Sequence, residues 1–87
     1  MNIIFKSSFI RDGKKIPLIL RSELGDAITL IENAKSLQDI PNLKKLKGNS
    51  TAYRIRINNY RLCFFYENET VTLVRFLPRK DVYRFFP

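Results

Sequence analysis

Arg54, Arg56 and Arg61 are the residues whose type and spacing first suggest chemistry in this chain. In Tyr53-Arg54-Ile55-Arg56-Ile57-Asn58-Asn59-Tyr60-Arg61-Leu62, arginine alternates with aliphatic and aromatic residues and the run then turns. A period of two sets the arginines on one face of a strand and the apolar residues on the other. With Asn58-Asn59 as a two-residue hairpin loop, Ile57 pairs with Tyr60 and Arg56 faces Arg61. Like charges directly opposite one another destabilise a sheet. An anion held between them offsets that cost, and the guanidinium fork suits phosphate because it grips two oxygens and stays charged. The chain has no histidine and one cysteine. A Ser-His-Asp triad, a histidine acid–base pair and nearly all zinc sites are therefore excluded. The carboxylates are scattered and offer no metal-ligand set. Chemistry has to come from arginine, lysine, tyrosine and carboxylates, with no metal and no cofactor.

Charge is distributed unevenly about these residues. The net charge is +8 over 87 residues. Residues 1–43 hold six basic and five acidic side chains, and residues 44–87 hold ten and three. A nearly neutral half joined to a strongly cationic one points to a polyanion as partner of the second half. Lys44, Lys45 and Lys47 lead into the arginine run and are candidate backbone-phosphate contacts. Lys80 and Arg84 are further candidates near the end. For Arg75 the reading divides between a nucleic-acid contact and an ion pair within the sheet, with Glu67 or Glu69 as partner.

The length bounds the chain to one domain, residues 1–87, and the apolar content of 45% suits a globular fold. Cys63 lies in an apolar strand and reads as a buried free thiol. No apolar run approaches the roughly 20 residues of a membrane span. Lys6, Arg11, Lys14 and Lys15 interrupt any signal-peptide pattern, so a cytoplasmic location and no membrane partner are expected.

The elements that must position the arginines follow from pattern. Asn2 to Lys6 reads as a strand. Ser7 or Ser8 is a candidate cap for a helix over Phe9–Lys15, weakened by Gly13. Pro17 ends it or opens the next. From about Leu18 to Ala34, apolar residues recur at Leu20, Leu24, Ala27, Ile28, Ile31 and Ala34, which is helical spacing. Two antiparallel helices or one bent helix result, with the stripe serving as core. Ser36 to Gly48 reads as a connector punctuated by Pro41 and Gly48. Three strands follow: Ala52–Ile57, Tyr60–Tyr66 and Thr70–Leu77. The second of these is apolar on both faces beyond Arg61, which marks a central strand. Arg79 to Arg84 reads as one helical turn or an extended end. This order gives an α+β layer structure, a small sheet with helices on one face.

In these residues the chain resembles the RelE/ParE-type toxins of bacterial type II toxin–antitoxin systems. The resemblance is carried by Leu43-Lys44-Lys45-Leu46-Lys47-Gly48, Tyr53-Arg54-Ile55-Arg56, Tyr60-Arg61-Leu62, Val74-Arg75 and Arg79-Lys80-Asp81-Val82-Tyr83, in that order, over about half the chain. It implies two N-terminal helices packed on one face of a small curved antiparallel sheet, in the order β-α-α-β-β-β. It also implies, for the RelE-like branch, entry into the ribosomal A site and cleavage of the mRNA there. Positions that match the family's functional ones are Arg54, Arg56, Arg61, Arg79 and Tyr83. Two departures stand out. Arg54 and Arg56 occupy positions that are often lysine in the best-known cleaving member, and Pro78 stands where relatives often have histidine. Both weaken proton transfer and leave charge stabilisation intact.

Cleavage by this route needs no metal. The ribose 2′-hydroxyl attacks the adjacent phosphate in line, the 5′-oxygen leaves and a 2′,3′-cyclic phosphate forms. The tasks are to take the 2′ proton, to stabilise the added negative charge and to protonate the leaving oxygen. Arg61, with Arg56 beside it, suits the second task. Arg79 is the candidate to assist the leaving group, directly or through water, and Arg54 to position the linkage. Arginine is a poor base, with a reference pKa above about 12, against about 10 for tyrosine. Two roles are thus open to Tyr83, proton acceptor or stacking platform for a nucleobase. The resemblance leaves two alternatives to mRNA cleavage: a ParE-like gyrase poison without nuclease activity, and an inactive domain that only binds its partner. In each case a cognate antitoxin is expected, in a hetero-oligomer, laying an acidic amphipathic segment over the basic face or displacing the C-terminal tail. The apolar end Phe85-Phe86-Pro87 either folds back onto the core or joins that interface.

Overall fold

The computed structural model describes residues 1–87. Its elements are β1 (Asn2–Phe5), α1 (Ser7–Lys14), α2 (Leu18–Asn33), β2 (Leu43–Lys45), β3 (Ala52–Ile57), β4 (Tyr60–Glu67), β5 (Thr70–Pro78) and α3 (Val82–Phe85), with 3-10 turns at Leu37–Asp39 and Arg79–Asp81. The turn chemistry of the two hairpins sets the centre of the sheet. Asn58 takes φ 59, a left-handed conformation that asparagine tolerates. The loop Asn58-Asn59 then pairs Ile57 with Tyr60 and sets Arg56 opposite Arg61. The second hairpin closes through Asn68 and Glu69, at φ 52 and 59, with Glu67 paired to Thr70. Positive φ at both loop residues matches the right-handed twist of the strands they join.

Five strands make one sheet in the order β1-β5-β4-β3-β2. β4 is its middle strand, and Leu62, Cys63 and Phe64 within it have no exposed surface. Two features differ from the sequence reading. Leu43–Lys45, expected as part of a connector, forms an additional edge strand antiparallel to β3. A three-residue segment with two lysines is too short to show alternation, and short charged edges resist pairing with other chains. The sheet is also mixed rather than purely antiparallel, because β1 pairs parallel to β5. Strand direction at that edge depends on how the α1–α2 pair returns the chain, which no local pattern records.

α1 and α2 are separate helices on one face of this sheet. Phe9, Leu20, Leu24 and Ile31 meet Ile55, Ile57, Leu62, Phe64, Leu73 and Phe76 in the main core. Each fully buried Leu, Ile or Phe contributes about 1.5–3 kcal/mol. Pro17 occupies the position before α2, as its fixed φ allows. Neither Ser7 nor Ser8 caps α1. Lys6 stands at the cap position without a side-chain bond, and the Ser8 hydroxyl donates instead to the carbonyl of Val74, 2.6 Å away. A β-bulge breaks the β4–β5 register at Cys63/Phe64, so that Cys63 faces Arg75, Phe64 faces Leu73 and Val74 is the extra residue. The Val74 carbonyl, turned out of the ladder, takes the hydroxyl of α1.

The opposite face carries a smaller core of Leu46, Ala52, Cys63, Leu77, Val82 and Phe86. Phe86 folds back until its ring centroid lies 5.1 Å from that of Phe65, whereas Phe85 stays half-exposed. The C-terminal turn therefore covers only part of this face.

Candidate nucleic-acid interface and active site

Cross-strand partners point to the same face of a sheet, so the register locates the arginines. Lys44 pairs with Arg54, Arg54 with Cys63, and Arg56 with Arg61, which in turn pairs with Leu77. Cys63 and Leu77 belong to the smaller core. All three arginines and Lys44 thus lie on the face away from α1 and α2. Arg79 joins them from the 3-10 turn after β5. Its backbone N–H donates to the carbonyl of Asn59 at 2.8 Å, which ties that turn to the β3–β4 loop. Tyr83 comes from α3 and is 77% exposed. Together Lys44, Arg54, Arg56, Arg61, Arg79 and Tyr83 line a cleft of about 350 Å³ over Leu46 and Val82.

The cleft has no carboxylate on its wall. Neutral acceptors orient its arginines. Arg54 Nη1 donates to the Asn42 carbonyl at 3.0 Å and Arg56 Nη2 to Asn42 Oδ1 at 3.3 Å. The backbone N–H of Arg56 also donates to the Asn42 carbonyl, at 3.1 Å. Arg61 Nη1 donates to the carbonyls of Asn58 at 3.0 Å and Tyr60 at 2.9 Å. The pKa of Arg61 is pushed below the usual guanidinium value, first by burial and then by the charges of Arg54, Arg79 and Arg56. It remains a cation at neutral pH, so the repulsion persists and an anion in the cleft would relieve it. Burial pushes the Cys63 thiol beneath the arginines up to about 12. It is a neutral packing group at neutral pH.

Asn42, which the sequence reading did not single out, is the acceptor for both β3 arginines. It takes φ 63 after Pro41, and this reversal presents both its carbonyl and its amide oxygen to β3. Pro41 marked a break in the connector, but nothing local pointed to Asn42 or its partners. The connector before it is pinned by Asp39 Oδ2, which accepts from the N–H groups of Lys35 and Ser36 at 3.1 and 3.3 Å.

The remaining candidates do not share the cleft. Arg75, read as an RNA contact or as a partner of Glu67 or Glu69, is bound by Asp12 of α1. Its Nε lies 2.8 Å from Asp12 Oδ2 and its Nη2 3.2 Å from Oδ1. The same Oδ2 accepts the N–H of Phe76 at 2.9 Å. Glu67 and Glu69 lie at the far end of the β4–β5 hairpin, while the bulge and the end of β1 bring α1 alongside Arg75. The hydrogen bond that Arg75 donates to the Asp12 carboxylate raises the Arg75 pKa. Its Cζ also stands 5.5 Å from the Phe85 ring centroid. Lys45 pairs with Tyr53, whose ring stacks on Phe64 in the main core, so Lys45 lies on the opposite face from Lys44. Lys47 is exposed and lies outside the cleft. Arg84 lies over the Phe85 ring at 5.2 Å. Lys80 lines an adjoining hollow with Arg79 and Tyr83. A second groove, between α2 and β3, shares Arg56 with the cleft and includes Asn42, but it also carries Glu23 and Asp26, which suit an anion poorly. No group of three or more His, Cys, Asp or Glu side chains is placed to hold a metal ion. No helix is long and apolar enough to cross a membrane.

No family model matches the chain. A full-length alignment over 88 residues, covering all of both chains, makes it 35% identical to Toxin RelE3 of Methanocaldococcus jannaschii. The chain belongs to the RelE toxin family. Solved structures of RelE toxins share its fold. It superposes on a chain of the RelB–RelE antitoxin–toxin complex from Methanococcus jannaschii with a TM-score of 0.81 and 34% identity, over 97% of this chain and 99% of that one. For the RelE–RelB complex from Pyrococcus horikoshii the TM-score is 0.72 at 14% identity, over 93% and 97%. At that identity the likeness concerns the fold alone. RelE membership agrees with the helix pair, the sheet and the C-terminal turn, and the basic cleft lies on the sheet face that the helix pair leaves open.

Proposed function

We propose that this RelE-type toxin is a metal-independent endoribonuclease that cuts mRNA on the translating ribosome, and that a cognate antitoxin neutralises it. One observation carries the reading: four arginines from β3, β4 and the turn after β5 converge on one cleft with no carboxylate among them. Such a site is built for a phosphodiester. Arg61, flanked by Arg56, stabilises the charge added as the 2′-oxygen attacks the phosphorus. Arg54 holds the linkage in line. Arg79, at the mouth of the cleft, assists the departing 5′-oxygen. Tyr83 accepts the 2′ proton or stacks on a base. Charge stabilisation of this kind is worth about 10²–10³ in rate per donor. Without a strong base, much of the remaining acceleration has to come from alignment of the substrate, which the ribosome is suited to supply and which makes free RNA a poor substrate. The RelB–RelE pairs among the similar structures support an antitoxin partner, and the +8 charge favours an acidic segment laid over the cleft.

The test is to induce the toxin in cells and map mRNA 5′ ends on ribosomes, with Arg61→Ala in parallel. Cuts within codons that vanish in the variant support the reading. Intact mRNA with double-strand DNA breaks would refute it in favour of gyrase poisoning.

A further inference from the structure

Beyond the arginine cleft, on the far side of Arg79 and Tyr83, lies a second hollow of about 690 Å³ lined by Asn59, Pro78, Arg79, Lys80 and Tyr83. Arg79 and Tyr83 line both spaces, so a strand leaving the cleft past them enters the hollow. Its walls contain no carboxylate. Backbone contacts tie its two sides together. Pro78 ends β5 in register with Tyr60, and the 2.8 Å bond from Arg79 N–H to the Asn59 carbonyl joins the two walls. The side chains along it are complementary to one nucleotide. Lys80 is a point charge for a phosphate, Asn59 offers both donors and an acceptor to a base edge, and the exposed Tyr83 ring presents a stacking surface between the two spaces.

We propose that this hollow is a second nucleotide subsite, in which Lys80 takes the phosphate and Asn59 the base edge of the residue adjoining the linkage held by the arginines. It rests on the nuclease reading and extends it: the footprint becomes three nucleotides rather than two, and base preference at the added position comes from Asn59.

The test uses the full chain and non-cleavable 2′-O-methyl RNA of two, three and four nucleotides, with affinity measured by calorimetry at several salt concentrations. Neither substitution threatens the fold. Lys80 is exposed, and Asn59 lies outside the left-handed region and holds Arg79 through its carbonyl, not its side chain. In the wild type, the third nucleotide tightens binding roughly fivefold or more, the scale of one stacking or phosphate contact. In Lys80→Ala/Asn59→Ala that gain falls below about twofold while dinucleotide affinity is unchanged, and Lys80→Ala alone lowers the salt slope for the trinucleotide by about 0.7. Equal losses for two and three nucleotides, or none, overturn the subsite. Arg61→Ala separates the two readings. If it weakens the dinucleotide while the hollow variants leave the third-nucleotide gain intact, only the subsite falls. If the wild type binds no length, the subsite falls; if Arg61→Ala binds the dinucleotide as well as wild type, the nuclease reading falls with it.

Discussion

Replacing Arg61 by glutamine should abolish activity and make the protein more stable. Arg61 faces Arg56 across the β3–β4 ladder, and burial together with Arg54, Arg79 and Arg56 lowers its pKa. No carboxylate lines the cleft to offset that repulsion. A cross-strand pair contributes about 0.2–1 kcal/mol, with a destabilising sign for like charges. Glutamine removes the repulsion and keeps a donor for the Asn58 and Tyr60 carbonyls. For a domain of this size about 1 kcal/mol corresponds to roughly 4–8 °C, so Arg61→Gln should raise the melting temperature by about 1–8 °C at low salt. The sign of the pH dependence follows from linkage. A cation whose folded pKa is lowered destabilises the fold below that pKa, and the cost disappears only as pH rises through the alkaline guanidinium range. Across neutral pH the lever is therefore salt. Thermal melts by circular dichroism at about 20 and 500 mM salt should show the gain shrinking as charges are screened. Sulfate or phosphate should stabilise the wild type more than the variant. A melting temperature that falls equally at both salt concentrations would refute the claim that the cleft stores uncompensated positive charge.

Three further outcomes follow from the contacts. Asn42→Gly keeps the φ of 63 and the carbonyl but removes the 3.3 Å contact to Arg56, so mRNA cleavage should drop several-fold with little change in melting temperature; Asn42→Val should cost about 1–2 kcal/mol in urea unfolding because a β-branched residue resists that conformation. Asp12→Ala removes the acceptor of Arg75 and of the Phe76 N–H and should cost about 1.5–3 kcal/mol by denaturant titration. Cys63, with no exposed surface and a thiol pushed up to about 12, should react with iodoacetamide at neutral pH far more slowly in the native chain than in urea, because the thiolate is the nucleophile.

The sequence by itself determined the part of the site that lies within one hairpin. Loop length and a period of two suffice to place Arg56 against Arg61 and to send Arg54 to the same face, because register there depends on residues fewer than ten positions apart. The central place of β4 and the helical stripe of α2 were legible from local pattern, whereas Arg79 to Arg84 stayed open between one helical turn and an extended end and proved to be a 3-10 turn followed by a short helix. Only the tertiary structure decided which other cations meet these arginines. Lys44 and Lys45 are neighbours in sequence but lie on opposite faces, because Leu43–Lys45 becomes an edge strand. Arg75 shares a row with Cys63 and Arg54, yet the bulge beside Val74 and the docking of α1 commit it to Asp12. Arg79 and Tyr83 reach the cleft because the Asn59 carbonyl and the buried Val82 hold the last turn against the sheet. Those placements depend on contacts between segments far apart in the chain, where pattern carries no register and the packing of whole elements chooses the partner.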